Sequence, residues 1–160
     1  MKKILIPTDF SISSLNVIHS VVEQFSEPVE IVLFHGVYVA NSISDLLFMS
    51  KKVTSTYITN DYNDACQVLK NKYSSQIKVM KTLFFYGNSP LAFNDFVEAN
   101  NVDCIIYNDQ HKYKETYKYS IDTIPFIRKS KFKTLALSVD AKAKKVTEES
   151  TLSELFLSTY

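Results

Sequence analysis

Apolar positions in this chain gather into short unbroken runs separated by stretches of helical period. Residues 3–7 form a compact apolar run ended by Pro7, and from Ser11 onward Ile12, Leu15, Ile18, Val22 and Phe25 recur at helical spacing. A strand followed by a helix is predicted. Asp9 and Ser11 stand where side-chain oxygens can cap that helix, and Glu27-Pro28 closes it. Residues 29–37 are apolar and rich in β-branched side chains, which predicts a second buried strand parallel to the first.

The same alternation continues. Ile43, Leu46 and Leu47 suggest one short helical turn, an irregular link is expected over 54–60, and Tyr62, Ala65, Cys66, Leu69 and Tyr73 mark an amphipathic helix. Residues 77–86 read as a strand passing from partial to full burial as it reaches Phe84-Phe85-Tyr86. Gly87-Asn-Ser-Pro90 is a turn with Ser89 as cap and Pro90 at the first helical position, and Leu91, Phe96, Val97 and Ala99 continue that helix. A fourth strand is predicted over 102–107, a helix carrying Pro125 near its start over 121–129, and a fifth strand over 134–139.

This order predicts an α/β fold: a single doubly wound, Rossmann-like, five-stranded parallel sheet flanked by helices, strand order 3-2-1-4-5. Residues 1–140 make the domain. Residues 141–160 follow a lysine-rich hinge as a tail, in which Thr151-Leu-Ser-Glu154 has capping-box spacing and Leu152, Leu155 and Phe156 share one face of a short amphipathic helix.

Composition narrows the functional classes. With 160 residues, 46% hydrophobic and 22% charged, the chain suits one globular domain. A net charge of +1 gives no bulk reason to expect nucleic acid or an anionic membrane as partner. The first apolar run is too short for a signal peptide or a membrane span, and two cysteines, Cys66 and Cys104, are too few for a disulfide framework. A cytoplasmic protein is expected. Glycine is scarce: average usage predicts roughly eleven, and only Gly36 and Gly87 are present. A function that needs several bare backbone positions is poorly supplied.

The segments Lys3-Ile-Leu-Ile-Pro-Thr-Asp-Phe-Ser11 with Ser14-Leu15, Ile31-Val-Leu-Phe-His-Gly-Val37, Gly87-Asn-Ser-Pro90 and Val102-Asp-Cys-Ile-Ile-Tyr107 occur in that order. The set resembles the universal stress protein family over about residues 2–139. In the nucleotide-binding branch of that family the fourth strand is followed by glycine, two residues, glycine, nine residues, glycine and a hydroxyl residue, whose amides hold phosphates. That spacing falls here on Asn108, His111, Ile121 and Asp122, so all four are lost. Phosphate approach to backbone amides needs bare backbone and favourable charge. His111 and Ile121 fill the space, and Asp122 opposes an anion at about 1 to 4 kcal/mol per close pair. The resemblance also implies that Asp9 stands where nucleotide binders place an acid on the adenosine moiety.

In open α/β sheets ligands gather at the carboxyl ends of the strands, where strand order reverses. Asp9, His35, Asn108, Asp109 and His111 are expected there. Such side chains can hold zinc or manganese, yet no His-x-x-x-His spacing supports a site, and no metal and no cofactor is expected. His35 is read as a partly buried histidine satisfied by backbone, and His19 as facing solvent. Cys66 and Cys104 fall in apolar patterns and the serines lack a glycine-flanked elbow, so no enzyme is expected.

Tyr113, Tyr117, Ile121 and Ile124 recur at helical intervals, as if the former phosphate loop extended the last helix, with the tyrosines packed over the crevice. Interleaved lysine and tyrosine in this segment also has the form of a single-strand nucleic-acid surface, although nucleic acid is not expected as the main partner. The fifth strand should form a bare sheet edge. The resemblance implies a homodimer through that edge, with Leu135, Leu137, Val139, Leu152, Leu155 and Phe156 at the interface. The expected function is a stress-response protein that has lost ATP binding and works through self-association or contact with a protein partner. The alternative is an adenine-nucleotide binder using Asp9, the backbone at Val37, and Lys112 and Lys114 at the phosphates.

Overall fold

The structure, a computed structural model, describes residues 1–38, 57–114 and 119–138. The short turn at Ile43, Leu46 and Leu47, residues 54–56 of the expected link, Tyr117, Val139 and the tail with Leu152, Leu155 and Phe156 lie outside the described residues.

Strands β1 (Lys2–Pro7), β2 (Val29–Val37), β3 (Ile77–Tyr86), β4 (Cys104–Asn108) and β6 (Thr134–Leu137) form the parallel order β3-β2-β1-β4-β6. Helices α1 (Val17–Gln24), α2 (Asn60–Lys72), α3 (Pro90–Ala99) and α4 (Ile124–Arg128) connect them. Side chains on a strand alternate between faces, and both faces of the sheet are covered. Ile4 and Ile6 of β1, Ile31 and Leu33 of β2, and Ile106 of β4 join α1 and α2 in one core. Leu5, Val32, Phe34 and Ile105 join α3 and α4 in the other, where Phe34, Phe85, Phe93 and Phe96 pack ring against ring. This is the doubly wound arrangement the sequence predicts.

Local chemistry sets the element ends. Ser11 is the cap of the first helical segment, its hydroxyl accepting from the Ser14 N–H, and a 3-10 turn (Ile12–Asn16) precedes α1. Thr59 caps α2, and Ser89 caps α3 with Pro90 following, where a missing N–H costs nothing.

The structure corrects four expectations. Residues 119–123, just before the last helix, are not helical: Ser120–Ile121 is a short strand, β5, antiparallel to β2 through Gly36↔Ile121 and Val37↔Ser120, and α4 begins only at Ile124. The cause lies in β2, which runs past the end of β1 at Pro7↔Phe34, so residues 36–37 have an open side that β5 takes. Gly36 makes the approach possible: a Cβ there would meet Thr123 Cγ2 at 2.6 Å and the Ile121 carbonyl at 3.0 Å.

The other corrections concern burial. His19 is buried with Nδ1 2.6 Å from the Tyr73 hydroxyl, because α1 presents that side of its inner face to the end of α2. His35 is completely buried rather than partly. β3 does not reach full burial at its end: it is an edge strand, Phe85 is buried, Phe84 is half-buried and Tyr86 is exposed.

Candidate functional site

The carboxyl ends of β1, β2 and β4 meet residues 108–114 and 120–123 at one crevice. Its centre is Asp9, a side chain 1% exposed. Asp9 does not cap the helix, as Ser11 does. It gathers donors from two segments instead. Oδ1 accepts from the Ser11 N–H at 3.0 Å and from the Ser11 hydroxyl. Oδ2 accepts from His111 Nε2 at 2.9 Å and from the Lys114 N–H at 2.9 Å. A carboxylate oxygen only accepts, so His111 carries its proton on Nε2 at this contact. Burial alone would raise the Asp9 pKa; the His111 and Ser11 hydrogen bonds, the His111 charge and the Lys114 amide outweigh it and hold the group at about 2.

Phe10 follows with φ 63°, a left-handed conformation that costs a side-chain-bearing residue about 1 kcal/mol or more. Its ring is held among His35 at 4.6 Å, Tyr62 at 5.2 Å and Phe84 at 5.8 Å between centroids. The strained turn thereby gains aromatic packing on one side and the Asp9 bonds on the other.

Polar groups beneath the crevice form two directed chains. Ser14 donates its hydroxyl hydrogen to the Ser11 carbonyl, so it accepts from Thr8 Oγ1, and Thr8 in turn accepts from the Tyr62 hydroxyl. Hydrogen bonds aligned in this way strengthen one another. His35 Nδ1 lies 2.7 Å from the Thr8 carbonyl and donates to it, while Nε2 lies 2.8 Å from Ser120 Oγ. Burial lowers the His35 pKa against the opposing pull of the Thr8 carbonyl and the Asp9 charge. The ring is therefore neutral, and Nε2 accepts the Ser120 hydrogen.

Tyr113 closes the crevice from above, its ring stacked on His35 at 6.3 Å with 19° between planes. The space left, lined by Pro7, Thr8, Asp9, Ser14, Asn108 and Tyr113 among others, is a cavity of about 20 Å³. That holds about one water molecule.

The structure brings Asp9, His35, Asn108 and His111 together as the sequence suggests, and gives each an internal partner. Asn108 Oδ1 accepts from the Gln110 N–H, and Asp122, exposed, accepts from the Ile124 N–H. Ile121 lies in β5 and Val37 is buried opposite its neighbour Ser120. Lys112 is exposed, whereas the Lys114 amide is already bonded to Asp9. Leu135 and Leu137 of the edge strand are partly buried and pack against the first core. Burial pushes the Cys66 thiol up to about 12 and raises Cys104, which leaves both poor nucleophiles. Among the described residues no group of three His, Cys, Asp or Glu side chains could hold a metal ion.

Sequence reading missed Thr8, Phe10, Tyr57, Phe84 and Ser120 as members of this crevice. A signal exists only for Thr8 and Phe10, which flank Asp9. The others are assembled by topology alone.

No protein-family model and no curated protein matches the sequence. Solved structures do match. The hypothetical protein PH0823 is 21% identical over 87% of this chain and 97% of that chain, with a TM-score of 0.56. Universal stress protein UspA from Lactobacillus plantarum is 12% identical over 85% and 97%, TM-score 0.56. A universal stress protein family protein from Arabidopsis thaliana with AMP bound is 11% identical over 93% and 97%, TM-score 0.52. The fold of this chain is that of universal stress proteins.

Proposed function

We propose that this is a universal-stress-like protein whose strand-end crevice is occupied by its own chain, and which acts through self-association or contact with a protein partner rather than by binding ATP or by catalysis. The observation that carries this reading is the saturation of Asp9. Its carboxylate already accepts from Ser11, His111 and Lys114, and Tyr113 lies against His35 in the adjoining space. A nucleoside would have to displace the ring and break these contacts before gaining any of its own. The outer edge of β6, unpaired among the described residues, supplies a surface for a second copy, since an unpaired edge is a template for another strand. Backbone pairing would carry that contact, with the partly buried Leu135 and Leu137 packed against the core beside it.

Calorimetric titration with ATP and with AMP, each with magnesium, tests the reading. It expects nothing tighter than about millimolar, equivalent to roughly 4 kcal/mol. Micromolar binding would overturn it. Sedimentation should show a mass twice that of the chain, and a monomer at tens of micromolar would remove self-association.

A second reading is favoured by one observation, the AMP held by the Arabidopsis protein of the same fold. Here the loop 108–114 opens, and Asp9, the Val37 backbone, Lys112 and Lys114 meet an adenine nucleotide. It requires AMP to protect the amides of 109–114 from hydrogen exchange in a pattern different from the free protein.

A further inference from the structure

The opposite end of the sheet, where the strands begin, has a different character. Arg128-Lys-Ser-Lys-Phe-Lys133 joins α4 to β6 and places four cations within six residues. Arg128, Lys129, Lys131 and Lys133 are all exposed. Three adjacent strands enter the sheet here. The Ile105 N–H is bonded to the Lys133 carbonyl and the Asp103 N–H to the Lys3 carbonyl, which sets exposed Lys2 beside the same surface. Lys133 and Lys2 both act electrostatically on Cys104 between them.

The fold uses two of these charges only locally: Lys131 Nζ lies over the Phe132 ring and Arg128 stands in the last turn of α4. Among the described residues none of the five takes part in an ion pair; the acids that do pair, Glu30 and Asp9, pair with Lys3, Lys81 and His111. Asp103, the nearest acid, accepts from the backbone N–H of Lys3. Arg128 alone suffices to complement the end of so short a helix. Like charges this close repel, so the cluster is held at a cost that folding does not recover.

We propose that this end of the sheet is a docking surface for the phosphodiester backbone of a nucleic acid, contacted by Lys2, Arg128, Lys129, Lys131 and Lys133. The partner class follows from what the surface lacks. Protein interfaces are anchored by buried aromatic or aliphatic side chains, and polybasic segments hold a membrane stably only with an inserted apolar group. Met1, beside Lys2, is an exposed large apolar side chain at this end, but none among the described residues falls in the loop 128–134 that supplies four of the five cations. Phe132 is packed into the second core with Lys131 Nζ 5.3 Å from its ring. Charge is what the surface offers, and charge alone binds phosphates in a sequence-independent way. The net charge of +1 conceals this, because it averages over both ends of the molecule.

The test is fluorescence anisotropy with a labelled single-stranded RNA of about 20 nucleotides and a DNA of the same sequence, from about 50 to 200 mM salt. The proposal expects RNA and DNA to bind within roughly threefold of each other, with log K falling against log salt at a slope of about −3.5, near 0.7 per phosphate contact. Lys131→Glu with Lys133→Glu, and separately Arg128→Glu with Lys129→Glu, should each weaken binding at low salt by at least about tenfold and flatten that slope. Lys70→Gln with Lys78→Gln, at the far edge of the sheet where α2 leads into β3, should change nothing. Absence of binding at low salt overturns the proposal, as does equal binding by both charge-reversed variants while their circular dichroism remains that of the parent. Tighter binding to phosphatidylserine vesicles than to RNA at the same salt would assign the surface to a membrane and overturn it too.

Discussion

The two ends of the parallel sheet handle charge in opposite ways. At the carboxyl end a single carboxylate, Asp9, is buried and given donors from Ser11, His111 and Lys114. At the amino end five cations stand exposed and outside any ion pair among the described residues. The first charge is costly to bury and so must be satisfied internally. The second set remains hydrated, which asks nothing of its neighbours. On the proposed reading, internal satisfaction closes the first end to ligands, whereas the second end keeps its charges available to a partner. The acid expected to meet a ligand is the one whose oxygens already accept from the protein's own donors.

The sharpest way to break that contrast is to delete each charge. Asp9→Ala leaves the Ser11 and Lys114 amides and the His111 ring facing a buried gap, and should lower stability by about 3 kcal/mol, in the range for removing one partner of a buried pair. Lys133→Ala, at the exposed end, should stay within about 0.5 kcal/mol of the parent. Urea denaturation followed by circular dichroism measures both. Equal effects would erase the distinction between the ends.

Acid titration examines the same carboxylate without mutation. Asp9 titrates at about 2 in the folded chain against 3.8 for the ordinary group. Its folded pKa is depressed, so its contribution is complete above about pH 4 and is lost as pH falls through about 2, worth roughly 2 kcal/mol at 1.36 kcal/mol per unit. His35 has a lowered pKa as well. Its neutral, buried state therefore favours the fold fully above pH 6.5 and progressively less below it. The urea midpoint should fall in two stages on acidification, one beginning below pH 6.5 and one below pH 4. Asp9→Asn should abolish only the lower stage.

Gly36→Ala probes the closure of the crevice through backbone contact. The added methyl would come within 2.6 Å of Thr123 Cγ2 and 3.0 Å of the Ile121 carbonyl. Thr123 can turn away; the carbonyl belongs to the β5 pairing and cannot. Overpacking of this kind costs about 1 to 3 kcal/mol, and the low end is expected because β5 is only two residues long. Faster amide exchange at residues 119–121, with β1 and β4 unchanged, would locate the effect.

The sheet and its strand order were legible because the apolar runs at 3–7, 29–37 and 102–107 are continuous, as strands buried on both faces require. The last connection was not. Tyr113, Ile121 and Ile124 have helical spacing, but periodicity counts side chains and is blind to an open backbone edge on β2 that only the assembled sheet creates. His19 was misplaced for a similar reason, since its partner Tyr73 is 54 residues away. The loss of glycines after β4 was visible in the sequence. What replaces them, a histidine bonded to Asp9 and a tyrosine stacked on His35, depends on distances that no spacing rule contains.

The smallest expected effect concerns the amino end in the absence of any partner. Five exposed cations repel one another, and salt screens that repulsion with a Debye length of about 10 Å at 0.1 M. Raising sodium chloride from low to moderate concentration should therefore stabilise the parent by a few tenths of a kcal/mol, since surface charge interactions are of about that size. Replacing Lys131 and Lys133 with glutamine should give a similar gain at low salt and remove most of the salt response. The carboxyl end responds differently, because the Asp9 pair is shielded from mobile ions by its burial, so added salt leaves the contribution of Asp9 near its low-salt value. A double comparison of parent, Asp9→Asn and the lysine variant across salt concentration separates the two. Salt sensitivity that disappears with Asp9 and persists without the lysines would mean that the long-range field of the molecule originates at the crevice, and the contrast between a closed end and an open one would fail.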